Sequence, residues 1–539
     1  RDAVALALVL LVAALVYWRM LRDGGLYYDD WWHRAAALYD NARRTDPASG
    51  PFGYLSGLYD IVGFRPALPP ILALQLWIAG DNPHAYQALA LADTLFATFA
   101  LYAVLRLARV PWGLCTAAAV LFACLPMAGA TRFWMSGGIG NAGLGLMLTG
   151  FALGALGLRS ESRRRSLLLQ AASVLLVVAG ALAYDATIGV LALALPFYLA
   201  ATRLQWRPSL VKTALDVVPV IVLLPLVRSS SPTQADPLSE WPGHAWALFS
   251  DGSELFFRVL TIDRWPGALA ILVVVGAGLL LAVKAVLDPA GWWSAARPQL
   301  RGAGGVALAV AGLGFVAGLA GYLAYVPGNW YSPLLPGQGD RTNGVASAGF
   351  AVAIAAALLV LAVLLGTALR GRAAVLLRGG LFAALVGLAT ISFVQQSRAK
   401  GDQYIKVWQM SDALVSNLPA TFPDGPPPAG TMIYSFGAKA FSSPYLQALA
   451  EWGDLDGAVK LTLGSGKLDA MPIFQPQRVV CGARGAEFPP PTATVAFAPG
   501  DLRPYGKFVF MNAFEHRAET ITSRRQCEAA LARFTPGPL

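Results

Sequence analysis

The sequence predicts a polytopic α-helical membrane protein with a C-terminal mixed α/β domain outside the membrane. Three observations predict the helices and the tail. Of 539 residues, 56% are hydrophobic and 13% charged, and the mean hydropathy is +0.54, whereas soluble domains carry about a quarter charged residues. Apolar runs near the roughly 20 residues needed to cross a bilayer recur from the N-terminus to about residue 396. From 397 onward the composition turns polar and ordinary, punctuated by Pro426-Pro-Pro428 and Pro489-Pro-Pro491.

The runs give about eleven spans, near 3–20, 86–108, 112–130, 139–157, 167–183, 186–201, 214–228, 267–287, 304–325, 344–366 and 379–396. The first begins at Arg1 without a Met, which reads as a trimmed N-terminus rather than a cleaved signal peptide, because later spans share its character. The formal charge of +10 does not indicate nucleic acid, since the basic residues form no soluble patch with aromatic interleaving. Instead Arg106 with Arg109, Arg159 with 163–165, Arg203 through Lys212, Lys284 through Arg301, and Arg370 through Arg378 fall in every second connection. The positive-inside rule makes those connections cytoplasmic and puts the other loops, with everything after 396, outside. Residues 66–80, with three prolines in 15 residues, read as a helix lying in or re-entering the outer interface.

The chain thus divides into a membrane domain, 1–396, and an extracytoplasmic domain, 397–539. In the latter, 431–436, 495–498 and 508–510 read as strands, and 443–452 and 523–534 as helices. Cys481 and Cys527 lie in a compartment that permits disulfides, and their pairing is left open. Cys115 and Cys124, within one span, read as small packing residues.

Chemistry gathers in the outer loops. Leu26-Tyr-Tyr-Asp-Asp-Trp-Trp-His33 places two adjacent carboxylates among four aromatics just after the first span. Tyr27, Tyr28, Trp31 and Trp32 suit an interfacial belt. An ionised Asp beside hydrocarbon is costly unless it faces a polar cavity, and adjacent carboxylates raise one another's pKa. Asp29 and Asp30 read either as solvated loop charge or as a general base with an orienting partner. Arg65 and Arg341 stand just before an interfacial helix and a span; each suits snorkelling or a phosphate, which the planar guanidinium can grip with two hydrogen bonds. His33 and Arg132 are weaker members of the same group.

The order of these features resembles the GT-C glycosyltransferases, above all the transmembrane O-mannosyltransferases with tetratricopeptide tails and their bacterial relatives. The Asp pair is followed by Gly63-Phe-Arg-Pro66, Gly80-Asp-Asn-Pro-His-Ala-Tyr86, Phe122-Ala-Cys-Leu-Pro126, Trp134-Met-Ser-Gly137, Ala183-Tyr-Asp185 and Asp340-Arg341, across roughly residues 20–345. Relatives have a His before the Pro and a Glu a few residues later, where Leu125 and Ala130 stand here; the Lys of their separate Lys-Glu pair is Tyr184. The tail shows no repeat of about 34 residues, as tetratricopeptides require.

The resemblance implies a multi-pass enzyme of the bacterial inner membrane. It would be a hexosyl- or pentosyltransferase moving a sugar, with inversion, from a polyprenyl-phosphate donor to a glycan, lipid or protein acceptor on the outer side. Asp29 is then the base and Asp30 its orienting partner. Arg65, Arg341, His33 and Arg132 meet the donor phosphate, and Asp185 with Tyr28 the acceptor. Members that transfer a single sugar generally do without a metal, so no cofactor is expected, although a divalent metal is possible in the superfamily. The rival readings are a lipid-linked sugar transporter or flippase, a polysaccharide ligase, and a structural or sensory membrane protein.

Overall fold

The computed structural model describes residues 1–39, 50–228, 236–260, 302–328, 332–335, 337–366, 371–436, 446, 449, 452–473, 479–488 and 501–534. The expected span at 267–287, the strand at 495–498 and most of the helix at 443–452 lie outside the described residues.

In chain order the helices are α1 (Asp2–Asp23), α2 (Asp29–Leu38), α3 (Leu55–Val62), α4 (Leu68–Ala79), α5 (Pro83–Leu107), α6 (Trp112–Cys124), α7 (Ala130–Phe133), α8 (Met135–Leu158), α9 (Arg163–Ala183), α10 (Ala194–Ala201), α11 (Trp206–Arg228), α12 (Trp241–Val259), α13 (Ala303–Ala320), α14 (Asn343–Gly366), α15 (Gly371–Thr421), α16 (Trp452–Leu463) and α17 (Arg524–Phe534). Seven helical segments among the described residues are long and apolar enough to cross a bilayer, on α1, α5, α8, α9, α13, α14 and α15. Three expected spans or interfacial runs are shorter. The run at 112–130 stops as α6 at Cys124, because Leu125 precedes Pro126 and turns extended, with ψ 121°. The run at 186–201 is a 3₁₀ segment, Asp185–Leu193, followed by α10. The run at 66–80 becomes α4, with prolines in its first turn, where the missing N–H is no loss. Leu74, Trp77 and Ile78 are exposed there.

The chain forms two compact units. The first comprises Arg1–Arg19, Ala90–Phe133 and Gly137–Gly401, and its described regular elements are helices. In it α13 and α14 meet through small residues: a Cβ on Gly349 would stand 2.2 Å from the Gly318 nitrogen, so the backbones approach as far as glycine allows. Buried polar groups answer one another. Tyr17 donates to Thr94 (3.0 Å), Asn141 to the Thr131 carbonyl (2.8 Å), and Tyr198 to Asp216 (2.6 Å), which also pairs with Lys212.

The second unit comprises Met20–Leu89, Trp134–Ser136 and Asp402–Leu539. Its sheet runs β2-β1-β6-β7, with β1 (Met432–Ser435) parallel to β2 (Asp469–Pro472) and β6 (Phe508–Asn512), and β7 (Arg517–Thr520) antiparallel to β6. Parallel neighbours need a crossover, and α16 lies in the one between β1 and β2. A second, antiparallel sheet holds β3 (Val480–Cys481), β4 (Gly485–Phe488) and β5 (Asp501–Pro504). Tyr434, Phe436, Phe488, Phe508, Phe510 and Phe534 form the core, and Cys481 and Cys527 are joined as a disulfide that ties β3 to α17. The mixed α/β character expected of the tail is present. The composition change at 397 falls inside α15, which continues to Thr421.

Candidate functional site

The Asp pair opens α2, where carboxylates suit the partial positive charge of a helix N-terminus. Tyr28, just before it, adopts φ 45° and ψ −125°. That left-handed backbone is strained for a residue with a Cβ, and the Tyr28 ring packs edge-on against Trp134, with centroids 5.1 Å apart. Successive residues of a helix point about 100° apart, so the two carboxylates part company. Asp30 turns inward and is fully buried. Its Oδ2 accepts from the Tyr27 N–H (3.0 Å), and its Oδ1 accepts from the Ser136 N–H (2.9 Å) and hydroxyl (2.6 Å). Burial lifts its pKa to about 7, against the lowering effect of those bonds, and Asp29 adds to the rise. Asp29 is half-buried, and no described residue forms a hydrogen bond or ion pair with it.

One turn on, His33 is buried and its Nδ1 lies 2.9 Å from Ser136 Oγ. Trp32 stacks on the ring at 5.6 Å. Burial lowers the histidine's pKa; the charge of Asp29 opposes that and the charge of Arg65 adds to it. The second unit therefore brings Asp29, Asp30, His33 and Arg65 into one electrostatic neighbourhood. The Arg65 guanidinium lies 5.2 Å from the Phe64 ring centroid.

The tail's residues brace this segment from within the same unit. Trp408 stacks on Trp31 at 6.0 Å, and a Cβ on Gly25 would fall 2.3 Å from the Trp408 ring. Tyr404 packs edge-on against Tyr27 at 5.3 Å. Helix α16 lies against α2 so closely that a Cβ on Gly457 would stand 2.5 Å from the Trp31 carbonyl.

The remaining predicted residues lie in the first unit. Arg132 is buried and donates to the Phe122 and Leu125 carbonyls. There it satisfies the open end of α6, whose last carbonyls lack helical partners. Asp340 is buried and accepts from the Gly129 (2.9 Å) and Ala130 (2.7 Å) N–H groups and from Lys400 (3.0 Å). Asp185 and Arg341 both act electrostatically on Tyr325, whose hydroxyl lies 3.1 Å from that of Tyr184. Their first-unit neighbourhood thus joins two residues assigned to different ligands.

Sequence reasoning passed over two residues. Ser136 sits in the Trp134-Met-Ser-Gly137 stretch that carried the resemblance, yet nothing in that stretch says that its hydroxyl meets Asp30, 106 residues away. Arg34, one turn beyond Asp30, pairs with Asp81 of the Gly80-to-Tyr86 motif. Among the described residues, one group of three potential metal ligands falls together, Asp236, Glu240 and His244, with atoms within 4.8 Å of one another. None of the predicted site residues belongs to it.

No protein-family model matches the sequence, and no curated protein matches it either. Among solved structures, the chain is similar to ArnT from Cupriavidus metallidurans bound to undecaprenyl phosphate, at 13% identity over 87% of this chain and 86% of that one, with a TM-score of 0.38. It is also similar to the same protein in the apo state, at 16% identity, 87% and 85% coverage and a TM-score of 0.35. A third likeness is to the Archaeoglobus fulgidus oligosaccharyltransferase tethered to an acceptor peptide, at 12% identity over 90% of this chain and 65% of that one, with a TM-score of 0.39.

Proposed function

We propose that the chain is a membrane glycosyltransferase that moves one sugar from a polyprenyl-phosphate carrier to an acceptor hydroxyl. The observation that carries this reading is the asymmetry of the Asp pair: Asp30 is spent on three protein donors, while Asp29 beside it is held by none among the described residues. A fixed carboxylate next to an open one suits a general base on a rigid support. The order of motifs along the sequence supplies the substrate class.

In this reaction Asp29 takes the proton of the acceptor hydroxyl as its oxygen forms a bond to the anomeric carbon. The bond from that carbon to the phosphate oxygen breaks on the opposite face, so configuration inverts and polyprenyl phosphate leaves. Arg65 stabilises charge developing on the phosphate. Arg341, with Asp185 near Tyr325, is a second charged group, whose part in turnover is tested by its own substitution. Tyr28 holds the entry to α2 rather than a ligand. The reaction is drawn without a metal: Asp30 already accepts three protein hydrogen bonds, which suits a support for Asp29.

The test is release of polyprenyl phosphate from a polyprenyl-phosphate hexose or pentose by purified protein with mixed glycan, lipid and peptide acceptors, comparing the parent with Asp29→Asn. Movement of intact donor across vesicles without release would favour a transporter. The site is proposed to lie outside, in a bacterial inner membrane, with the tail on the same side. Cysteines introduced at Ser49 and Asp424 should both label from outside, and labelling of only one overturns that topology.

A further inference from the structure

The hydroxyl of Ser136 joins two site residues, and its proton count fixes a third atom. Ser136 Oγ lies 2.6 Å from Asp30 Oδ1 and 2.9 Å from His33 Nδ1. A hydroxyl has one proton to give. Ionised Asp30 can only accept, so that proton goes to Asp30, and the Ser136 oxygen must then accept from His33. The imidazole therefore carries its proton on Nδ1.

We infer that Asp30 and Ser136 are positioning residues that hold His33 as the neutral Nδ1–H tautomer, so that its Nε2 presents a lone pair to a substrate hydroxyl rather than a proton to the donor phosphate. The inference rests on the glycosyltransferase reading for the identity of the ligand, though not for the tautomer. Burial disfavours a second proton on the ring. Trp32, stacked at 22°, sets the ring plane. No described residue is hydrogen-bonded to Nε2. The charged groups acting on the ring are Asp29 and Arg65, of opposite sign. The assignment departs from the sequence expectation for His33, because a neutral imidazole protonated at Nδ1 has no N–H left for a phosphate oxygen. The hydroxyl belongs either to the donor sugar or to the acceptor.

The chain has four histidines, so replacing His84, His244 and His516 with Gln leaves His33 as the sole imidazole. Nitrogen-15 spectra of that full-length protein in nanodiscs at pH 8, where Asp30 is ionised, should show a protonated Nδ1 and a bare Nε2. Ser136→Ala should turn this into a mixture of tautomers, and Ser136→Thr, which keeps the hydroxyl, should restore the single form. A protonated Nε2 in the parent, or an unchanged spectrum in a folded Ser136→Ala protein, overturns the inference.

Binding then locates the hydroxyl. His33→Asn should leave affinity for bare polyprenyl phosphate within about twofold of the parent. A loss of about tenfold confined to a polyprenyl-phosphate hexose assigns the hydroxyl to the donor sugar. Unchanged affinity for both probes assigns it to the acceptor. A loss on the bare carrier restores the phosphate role and overturns the proposal. Failure of the parent to bind either probe sinks the glycosyltransferase reading and leaves the tautomer result standing.

Discussion

The Asp29-Asp30 pair of one unit and the Asp340-Arg341 pair of the other solve the same problem differently. In each, a buried aspartate accepts from two backbone N–H groups, those of the nearby Tyr27 and the distant Ser136 in one case and of the distant Gly129 and Ala130 in the other. Each also leaves a charged neighbour partly exposed. The difference is the counter-charge. Asp340 has Lys400 at 3.0 Å, while the groups acting on Asp30 include no cation, only neutral donors and the like charge of Asp29. A buried carboxylate without a cation pays its desolvation in pKa, which is why Asp30 titrates near neutrality. Asp340 is a strut. Asp30 is a strut whose charge depends on pH and whose bond to Ser136 reaches a histidine.

The largest effect is expected at the open member of the first pair. Asp29→Asn should lower sugar transfer by about 10²–10⁴-fold, the range for loss of a general base, with the melting temperature in detergent unchanged. Asp30→Asn should cost less. Equal and small losses in a transfer assay would erase the distinction between the two carboxylates.

Next comes the strut with a cation. Asp340→Asn leaves one carbonyl oxygen for two backbone N–H groups, so one buried donor loses its acceptor, at about 1–3 kcal/mol. Thermal unfolding should show that loss. A neutral substitution there would mean that water reaches the Gly129 and Ala130 N–H groups.

Asp30→Asn probes the strut without a cation, and the sign follows from linkage. The folded pKa, about 7, lies above the ordinary aspartate value of 3.8, so between those values the folded chain holds the proton more tightly than the unfolded one. This site therefore stabilises the parent at low pH. That stability drains away by about 1.4 kcal/mol per unit as pH rises toward 7, and then levels off. Asn has no such slope. Across pH 5, 6, 7 and 8 the stability of the parent relative to the variant should fall as pH rises to 7 and then level off, and a difference that does not change with pH would place Asp30 in water.

The seven long apolar helices were legible because hydrocarbon imposes composition, and the Asp pair was legible because carboxylates stand out against it. What each residue holds was not. The partners of Asp340 lie 211 and 210 positions away, and Arg132 reads as an outer-loop cation until α6 ends against it. Hydropathy marked a boundary at 397, but α15 runs on because helix formation asks only for suitable propensity, not for an apolar surface. The tail's task near α2 was also hidden. It depends on Gly457 and Gly25, where the missing side chain, not a present one, lets Trp31 and Trp408 in.

The smallest effects are expected from exchanging the two arginines for lysine, and they test what the pairs share. Lys keeps the charge and reaches water as well as Arg does, so at a snorkelling position the exchange is silent. At a phosphate it is not, because the ammonium lacks the planar fork that grips two oxygens. Arg65 lies near His33 and Asp29, and Arg341 near Asp185 and Tyr325; neither is fully buried, so both variants should fold. Arg65→Lys should weaken turnover or apparent affinity for the polyprenyl-phosphate sugar by several-fold, with acceptor affinity little changed. Arg341→Lys is expected to do the same if its group meets the donor, and to shift acceptor affinity instead if it serves with Asp185. Kinetics with purified donor separate these outcomes. If both variants stay within about twofold of the parent for either substrate, the phosphate is held by other groups, and the two pairs share a folding device rather than a ligand.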